Sequence, residues 1–419
     1  MTASFPAAAP LVTALRHGRW LTRDRAVAWG GALLGAELAF LIFVALFQHG
    51  AFGPVPPTSS DFVSFYAAGS LALAGTPALA YDQPVHHLVQ QQATVAGAPY
   101  QFFFYPPVYL LLCAPLALLP YFLANALFQI ASLGLFLGVM RAVLAERGWD
   151  WLIPLLAFPA VLWTIGLGQN AFLTASLFGG FLLLLERRPV LAGVLVGLLC
   201  YKPHFGLLVP VALIAGGHWR AVFSAGVTVA ALVAGAAAVF GLDTWQAYVT
   251  AFAGSGQVYE SGRIDLAGMV TVFGALRLFG LLAAVAYGAQ AISAVAMAVA
   301  VALVWRRTES RPLRAATLLT ATLLAVPLAL LYDQMLLLLA AGWMVRQART
   351  DGFLPWEKAA LFALYPLALL LWPVGAALYL PLGVPLSLLV LSLCLRRVWP
   401  LRAQTPTRGS RPLAVGTAR

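Results

Sequence analysis

The chain has 419 residues, of which 62% are hydrophobic and only 9% are charged. So few charges cannot cover a soluble protein, so we exclude the soluble classes and predict an all-α polytopic membrane protein. The net charge of +11 comes mainly from arginines in the tails and in short segments between apolar runs, which is the positive-inside pattern. We therefore predict no nucleic-acid partner.

The chain begins with a basic tail, residues 1–26, which we predict to be cytoplasmic. An apolar run from Val27 to Phe47 follows. No convincing cleavage site accompanies this run, so we predict a first transmembrane helix that is retained.

The segment 48–105 contains no lysine or arginine. Short cytoplasmic loops collect basic residues, so this segment is predicted to be an extracytoplasmic first outer loop. Its amphipathic stretch Phe62–Leu73, which includes Tyr66, is expected to lie in the membrane interface.

Two aspartates of this loop are candidates for chemistry. Asp61 precedes the stretch Phe62–Leu73, and it can act in catalysis or cap that helix, or do both. Asp82 precedes a short helix bearing His86 and His87, and here capping is the favoured interpretation. We predict no cofactor, and a divalent metal at the two carboxylates stays open.

Basic clusters recur at every second boundary between the later apolar runs, which predicts about twelve transmembrane helices with both termini cytoplasmic. The transmembrane domain is then 27–395, and the basic segment 396–419 is a cytoplasmic tail. Residues 107–142 are too long for one straight crossing. A break at Leu119-Pro120 would divide them into a short half-inserted helix and a full span.

Polar groups interrupt the apolar runs at three predicted extracytoplasmic turns, where they are costly. The first turn holds Gln169 and Asn170, which can bind a ligand or satisfy freed backbone groups. The second holds Lys202 and His204; together they can hold a phosphate, although a lysine at a helix end can also snorkel to the interface. The third holds Tyr332 and Asp333.

A second outer loop is predicted at 241–281, and it carries two arginines on the predicted outer face, Arg263 and Arg277. The two polar, aromatic-bearing loops are expected to form the two sides of one site. The three cysteines lie within apolar segments, and their spacing indicates neither a metal site nor a disulfide.

These motifs together resemble glycosyltransferase family 87, the polyprenol-phosphate-mannose-dependent mannosyltransferases of the GT-C superfamily. The resemblance spreads over about residues 25–220 and rests on Asp61 with Tyr66 and Ala68-Gly69, Gly75 through Tyr81-Asp82, Tyr105-Pro106-Pro107, Pro115, Leu119-Pro120, Gly168-Gln169, Ala192-Gly193 with Gly197, and Lys202-Pro203, with Tyr332-Asp333 in the second half. One departure is that no arginine or histidine of the second half matches a family contact to the donor phosphate. Arg263 is assigned to the donor phosphate only because of its location in the second outer loop.

The resemblance implies a GT-C-type bundle that transfers a sugar, expected to be mannose, from a polyprenyl-phosphate donor to a lipid or glycan acceptor on the extracytoplasmic face. It makes Asp61 the catalytic base. Lys202 and His204 suit the departing phosphate, and Phe102 to Tyr105 suit the prenyl tail. Attack opposite the phosphate would invert the anomeric centre. The predicted substrate-binding residues are Tyr66, Asp82, Tyr105, Gln169, Asn170, Lys202, His204, Arg263, Tyr332 and Asp333.

Two other functions remain open: a transporter or flippase of a lipid-linked sugar, and a non-catalytic partner in envelope glycan assembly. A transporter is expected to contain repeats with paired helix breaks, and residues 220–419 do not repeat the Asp61 or Lys202 elements. The high ratio of arginine to lysine is typical of a GC-rich bacterial genome, so we expect a bacterial inner-membrane protein.

Overall fold

The structure, a computed structural model, describes residues 8–48, 60–260 and 264–399. All regular elements of these ranges are helices, and one isolated β-bridge pairs Met269 with Leu330. The α-helices in chain order are α1 (Ala8–His17), α2 (Arg23–Gln48), α3 (Phe62–Leu73), α4 (Gln83–Ala93), α5 (Leu110–Leu116), α6 (Tyr121–Leu144), α7 (Leu152–Leu156), α8 (Pro159–Leu167), α9 (Ala171–Leu184), α10 (Pro189–Gly197), α11 (Val209–Ala215), α12 (Trp219–Phe240), α13 (Leu242–Ala253), α14 (Ser255–Glu260), α15 (Val272–Leu278), α16 (Ala283–Arg307), α17 (Arg311–Ala325), α18 (Met335–Asp351), α19 (Glu357–Leu378) and α20 (Gly383–Val398). The 3₁₀ helices are Pro77–Tyr81, Pro107–Tyr109, Leu198–Tyr201, Pro203–Gly206, Leu266–Gly268 and Leu331–Gln334.

Five helices of the described chain are long and apolar enough to span a membrane: α2, α6, α12, α16 and α19. They confirm the prediction of an all-α membrane protein with several spans. They do not confirm twelve, because helices such as α9, with 14 residues, are shorter than the ~20 residues that a perpendicular crossing needs.

The helix ends that were predicted to be cytoplasmic meet at one end of the bundle. The hydroxyl group of Ser310 donates to Gln347 (2.6 Å) and links α17 to the last turns of α18. Around this link lie the ion pairs Arg23–Glu146, Arg23–Asp150, Arg349–Glu146, Arg311–Glu186, Arg397–Asp351 and Arg397–Glu357. The alternation of charge along the sequence therefore corresponds to one charged end in space, which we call the basic end. Which side of the membrane it faces stays a prediction.

The region 107–142 divides as expected. Helix α5 ends at Leu116, and α6 begins at Tyr121 with Pro120 in an extended conformation (φ −55°, ψ 142°). A proline disfavours the helical conformation of the residue before it, so the break falls at Leu119-Pro120.

Helix α3 packs within the bundle. Eight of its 12 residues are buried, including Phe62 and Phe65. The hydroxyl groups of Ser64 and Ser70 donate to backbone carbonyls of their own segment (2.8 and 2.9 Å). The helix packs closely on α5, because a Cβ atom at Gly69 would lie 2.2 Å from the carbonyl oxygen of Cys113. The position of this helix in the membrane interface stays a prediction.

Candidate active site

A cavity of about 910 Å³ opens at the end of the bundle opposite the basic end. The two ends are joined by α18, whose 17 residues correspond to about 25 Å at 1.5 Å per residue. Seven of the predicted site residues line this cavity: Asp61, Tyr105, Gln169, Lys202, His204, Tyr332 and Asp333. Residues from both halves of the chain therefore meet in one site.

Asp61 directs its carboxylate away from the helix that it precedes. Its backbone N–H donates to the carbonyl oxygen of Leu167 (2.9 Å), which joins the start of α3 to the end of α8. Its side chain makes no capping hydrogen bond to α3, and its Oδ2 accepts one from Nε2 of Gln169 (2.7 Å). The capping interpretation therefore does not account for Asp61, and its carboxylate lines the cavity.

The turn after α8 holds Gln169 in position. Gly168 ends α8 in the left-handed conformation (φ +68°), and a Cβ atom there would lie 2.8 Å from Cβ of Phe62, so glycine is required. The amide of Gln129 on α6 donates to the backbone carbonyl of Gln169 (3.1 Å). Three helices thus fix the amide that binds Asp61.

Burial raises the pKa of the Asp61 carboxyl group above its ordinary value, and the hydrogen bond from Gln169 lowers it part of the way back. A raised pKa makes the carboxylate a stronger base near neutral pH. Among the described residues no cation forms an ion pair with Asp61, so its negative charge is not already neutralised.

Lys202 and Asp333 form a buried ion pair on another wall of the cavity. The ammonium of Lys202 donates to Oδ1 of Asp333 (3.0 Å), and both side chains are about 95% buried. The second oxygen of Asp333 accepts the backbone N–H of Leu330 (3.0 Å). An ammonium has three N–H groups, so Lys202 can donate to a ligand phosphate while it keeps Asp333.

The ammonium also lies close to two aromatic rings, at 5.3 Å from the centre of Phe205 and 5.5 Å from that of Tyr332. These contacts favour the positive charge of the buried lysine. His204 stands beside it, and its ring lies 4.5 Å from that of Phe205.

Asn170 lies behind the cavity wall. It is fully buried, and its amide nitrogen donates to the hydroxyl oxygens of Tyr105 (2.9 Å) and Tyr109 (3.1 Å). The rings of these tyrosines stack at 4.4 Å, and Tyr201 stacks on Tyr109 at 5.0 Å. Asn170 therefore positions the tyrosine wall and does not itself line the cavity.

Two further predicted site residues that the structure describes, Tyr66 and Asp82, do not line the cavity. Tyr66 donates from its hydroxyl to the carbonyl oxygen of Leu119 (3.0 Å). Asp82 is exposed and caps α4 by accepting the backbone N–H of Val85 (3.1 Å), as the sequence favoured. It does not line the cavity of Asp61, and the described residues hold no group of three potential metal ligands. Arg263 lies outside the described residues.

The sequence did not single out Asp265 and Trp372 as site residues, and both line the cavity. The indole of Trp372 on α19 donates to Oδ2 of Asp265 (2.5 Å), and Oδ1 accepts the backbone N–H of Ala267 (2.9 Å). The acidic character of the second outer loop is the one signal that could have identified Asp265.

One side of the cavity is apolar and belongs in part to the candidate membrane span α2. Phe40, Leu41 and Val44 of α2 line it together with Leu162 and Trp163 of α8. Phe40 is 50% exposed, so this wall continues onto the outer surface of the bundle. The cavity can therefore receive a molecule that has a polar group and a long apolar chain.

Glycosyltransferase family 87 matches residues 103–331, which is more than half of the chain. The chain belongs to this family. It is therefore a membrane glycosyltransferase, with a sugar donor and an acceptor as substrates. No curated protein and no solved structure matches the chain.

The family match covers the tyrosine wall, Gln169 and Lys202, and it ends at Leu331, beside Asp333. It begins at residue 103, near the end of the first outer loop, although the resemblance was expected from about residue 25. The role of Asp61 therefore rests on geometry and not on the match.

Proposed function

We propose that this protein transfers a sugar from a polyprenyl-phosphate donor to an acceptor hydroxyl group, with Asp61 as the catalytic base. The observation that supports this most is that a half-buried carboxylate, which forms no ion pair among the described residues, shares one cavity with a buried ammonium and an apolar wall. The carboxylate suits the acceptor hydroxyl group, the ammonium suits the donor phosphate, and the apolar wall suits the lipid chain. The resemblance of the motifs makes mannose the expected sugar.

The reaction proceeds by one displacement. The acceptor oxygen attacks C1 of the sugar while Asp61 takes the acceptor proton. The bond between C1 and the phosphate oxygen breaks, and its electron pair stays on the polyprenyl phosphate. Lys202 stabilises the charge on that oxygen, and His204 can donate a further hydrogen bond. Attack from the side opposite the phosphate inverts C1.

The other carboxylates of the cavity suit the role of base less well. Asp333 is bound by Lys202 and a backbone N–H, and Asp265 is bound by Trp372 and a backbone N–H. These contacts occupy both carboxylate oxygens of each residue. Asp61 has one such contact.

The deciding experiment measures transfer from synthetic polyprenyl-phosphate mannose by Asp61→Asn in membranes. Loss of a positioned general base lowers the rate by about 10²–10⁴-fold, and we expect that loss with normal amounts of inserted protein. Asp82→Asn is the matched control, because asparagine caps a helix as well as aspartate does. If Asp61→Asn keeps near-normal transfer, Asp61 is not the base.

Lys202→Ala tests the donor side. We expect a higher KM for the donor or a lower kcat, because the departing phosphate loses its ammonium. Unchanged values of both constants would assign Lys202 to structure alone.

We further propose that the cavity faces the extracytoplasmic side of a bacterial inner membrane, in a GT-C-type bundle of about twelve crossings. The collection of basic helix ends at the end opposite the cavity supports this sidedness. A membrane-impermeant maleimide should label Gln92→Cys on α4 in intact cells and should not label Arg147→Cys. The reverse labelling would overturn the sidedness.

A further inference from the structure

A second cavity, of about 510 Å³, lies beside the first. This second cavity lies between the first outer loop and the helices α13 and α14, which belong to the second outer loop. Its lining residues are Ala80, Tyr81, Gln83, Tyr100, Phe102, Phe103, Phe104, Tyr248, Thr250, Ala251, Phe252, Gly254, Ser255, Gln257 and Val258. Its volume falls within the ~300–1,000 Å³ range of small-molecule sites.

The chemistry of this cavity differs from that of the first. None of its described lining residues is charged, whereas Asp61, Lys202, Asp265 and Asp333 line the first cavity. A phosphate or carboxylate is normally bound by a cationic side chain or a set of N–H donors, so the second cavity does not suit an anion. It also does not suit a purely apolar ligand, because Gln83, Thr250 and Gln257 would face it.

Aromatic rings and uncharged hydrogen-bonding groups together suit one class of ligand. The C–H faces of a sugar ring pack on aromatic rings, and its hydroxyl groups bond with amides and hydroxyls. Here Phe102 and Phe104 are stacked almost in parallel (6°) at 5.2 Å, and Tyr81 lies 5.6 Å from Tyr248. The amides of Gln83 and Gln257 supply donors and acceptors near these rings.

The two cavities share one wall. Five side chains line both: Tyr100, Phe102, Phe104, Tyr248 and Phe252. A ligand in the second cavity therefore contacts some of the same side chains as a ligand in the cavity of Asp61.

We infer that the second cavity binds the acceptor, and that this acceptor is an uncharged saccharide chain whose terminal hydroxyl group extends past the shared side chains to Asp61. The assignment as acceptor rests on the proposed function. The affinity for an uncharged saccharide does not, because it can be measured without any transfer.

The test measures the binding of uncharged hexose trisaccharides to the full-length protein in nanodiscs of a zwitterionic lipid. No polyprenyl-phosphate donor is present. We expect at least one of them to bind, and its counterpart with a terminal phosphate to bind at least about tenfold more weakly, which is about 1.4 kcal/mol. The double variant Gln83→Ala/Gln257→Ala should lose about tenfold or more in affinity. Gln246→Ala, an exposed glutamine of α13 outside both cavities, should bind like the wild type.

Polyprenyl phosphate should not compete with the trisaccharide, since the two bind in different cavities. The inference is overturned if no uncharged trisaccharide binds, if the phosphorylated one binds equally well, if the double variant binds normally, or if the lipid competes. Asp61→Asn separates this result from the proposed function. It should bind the trisaccharide and fail in transfer; normal transfer would overturn the proposed function and leave the binding result in place.

Discussion

The carboxylates at the two ends of the helical bundle have different kinds of partner. At the basic end, each of the carboxylates Glu146, Glu186 and Glu357 meets an arginine from a distant segment. At the cavity end, the described structure pairs Asp333 with Lys202 and gives Asp61 an uncharged amide instead of a cation. The basic end therefore pairs these carboxylates with cations, whereas the cavity end leaves Asp61 with a single neutral donor.

This difference shows which charges serve the fold. A buried charge is costly unless it is paired, so a structural carboxylate acquires a partner. A base must remain unpaired to take a proton, and it is held in place by a neutral group such as Gln169. The paired charges of the basic end thus stabilise the fold, whereas Asp61 at the cavity end serves the reaction. Variants at each end should separate effects on stability from effects on transfer.

The largest effect on stability is expected at the ion pair of the cavity. Asp333→Ala leaves the Lys202 ammonium buried without its carboxylate, which costs about 3–5 kcal/mol of unfolding free energy. Thermal unfolding in detergent measures this loss. The double variant Lys202→Met/Asp333→Leu removes both charges and should regain most of the stability, but it should not regain transfer. Recovery of transfer in the double variant would show that the pair serves the fold only.

The next effect is a pH dependence at His86, which is fully buried and hydrogen-bonded to the carbonyl oxygen of Ser64 (3.0 Å). Burial is the main cause that lowers the pKa of His86 to about 4 from its ordinary 6.5. The unfolded chain binds this proton more readily. The contribution of neutral His86 to the unfolding free energy is therefore complete above pH ~6.5. It decreases as the pH falls toward 4, by about 3 kcal/mol in total.

His86→Gln should reduce the difference in unfolding temperature between pH 7.5 and pH 4.5, because the variant has no proton to gain at this position. His87→Gln on the same helix is the control and should keep the difference. An unchanged difference in His86→Gln would assign the acid sensitivity to other groups.

Gln169 offers a smaller and more specific effect. Gln169→Leu removes the hydrogen bond that lowers the pKa of Asp61, so the acid limb of the transfer rate should move to higher pH. At a pH on that limb we expect about a tenfold loss, since a hydrogen bond to a charged group is worth about 1.5–3 kcal/mol. Gln129→Leu, which removes a donor to the backbone of Gln169, should lower stability without moving the limb. A fixed acid limb in Gln169→Leu would mean that this amide does not tune the base.

The sequence predicted the charged end and many of the cavity residues, because sidedness and the cost of polar groups in a membrane act locally along the chain. It could not identify the partner of Lys202. That partner, Asp333, is 131 positions away, and only the packing of the turns Pro203–Gly206 and Leu331–Gln334 brings the two together.

The two aspartates of the first outer loop show the same limit. Both precede a helix, and local sequence allows both to cap. Asp82 does so, whereas the bond between the backbone of Asp61 and Leu167 turns its carboxylate toward Gln169. That bond depends on where α8 ends, and the sequence near Asp61 contains no information on it. The burial of α3 likewise depends on packing against a distant segment, as the close approach of Gly69 to Cys113 shows.

The smallest effect is expected at the exposed part of the basic end. Arg23 contacts Asp150 at 3.3 Å, but both side chains are 58% exposed, and water weakens the interaction. Arg23→Ala should therefore change the unfolding free energy by less than about 1 kcal/mol and leave transfer unchanged. Arg397→Ala is the contrasting variant, because its partner Glu357 is 1% exposed and would lose its cation in the interior. Equal losses in the two variants would show that burial does not decide which ion pairs stabilise this fold.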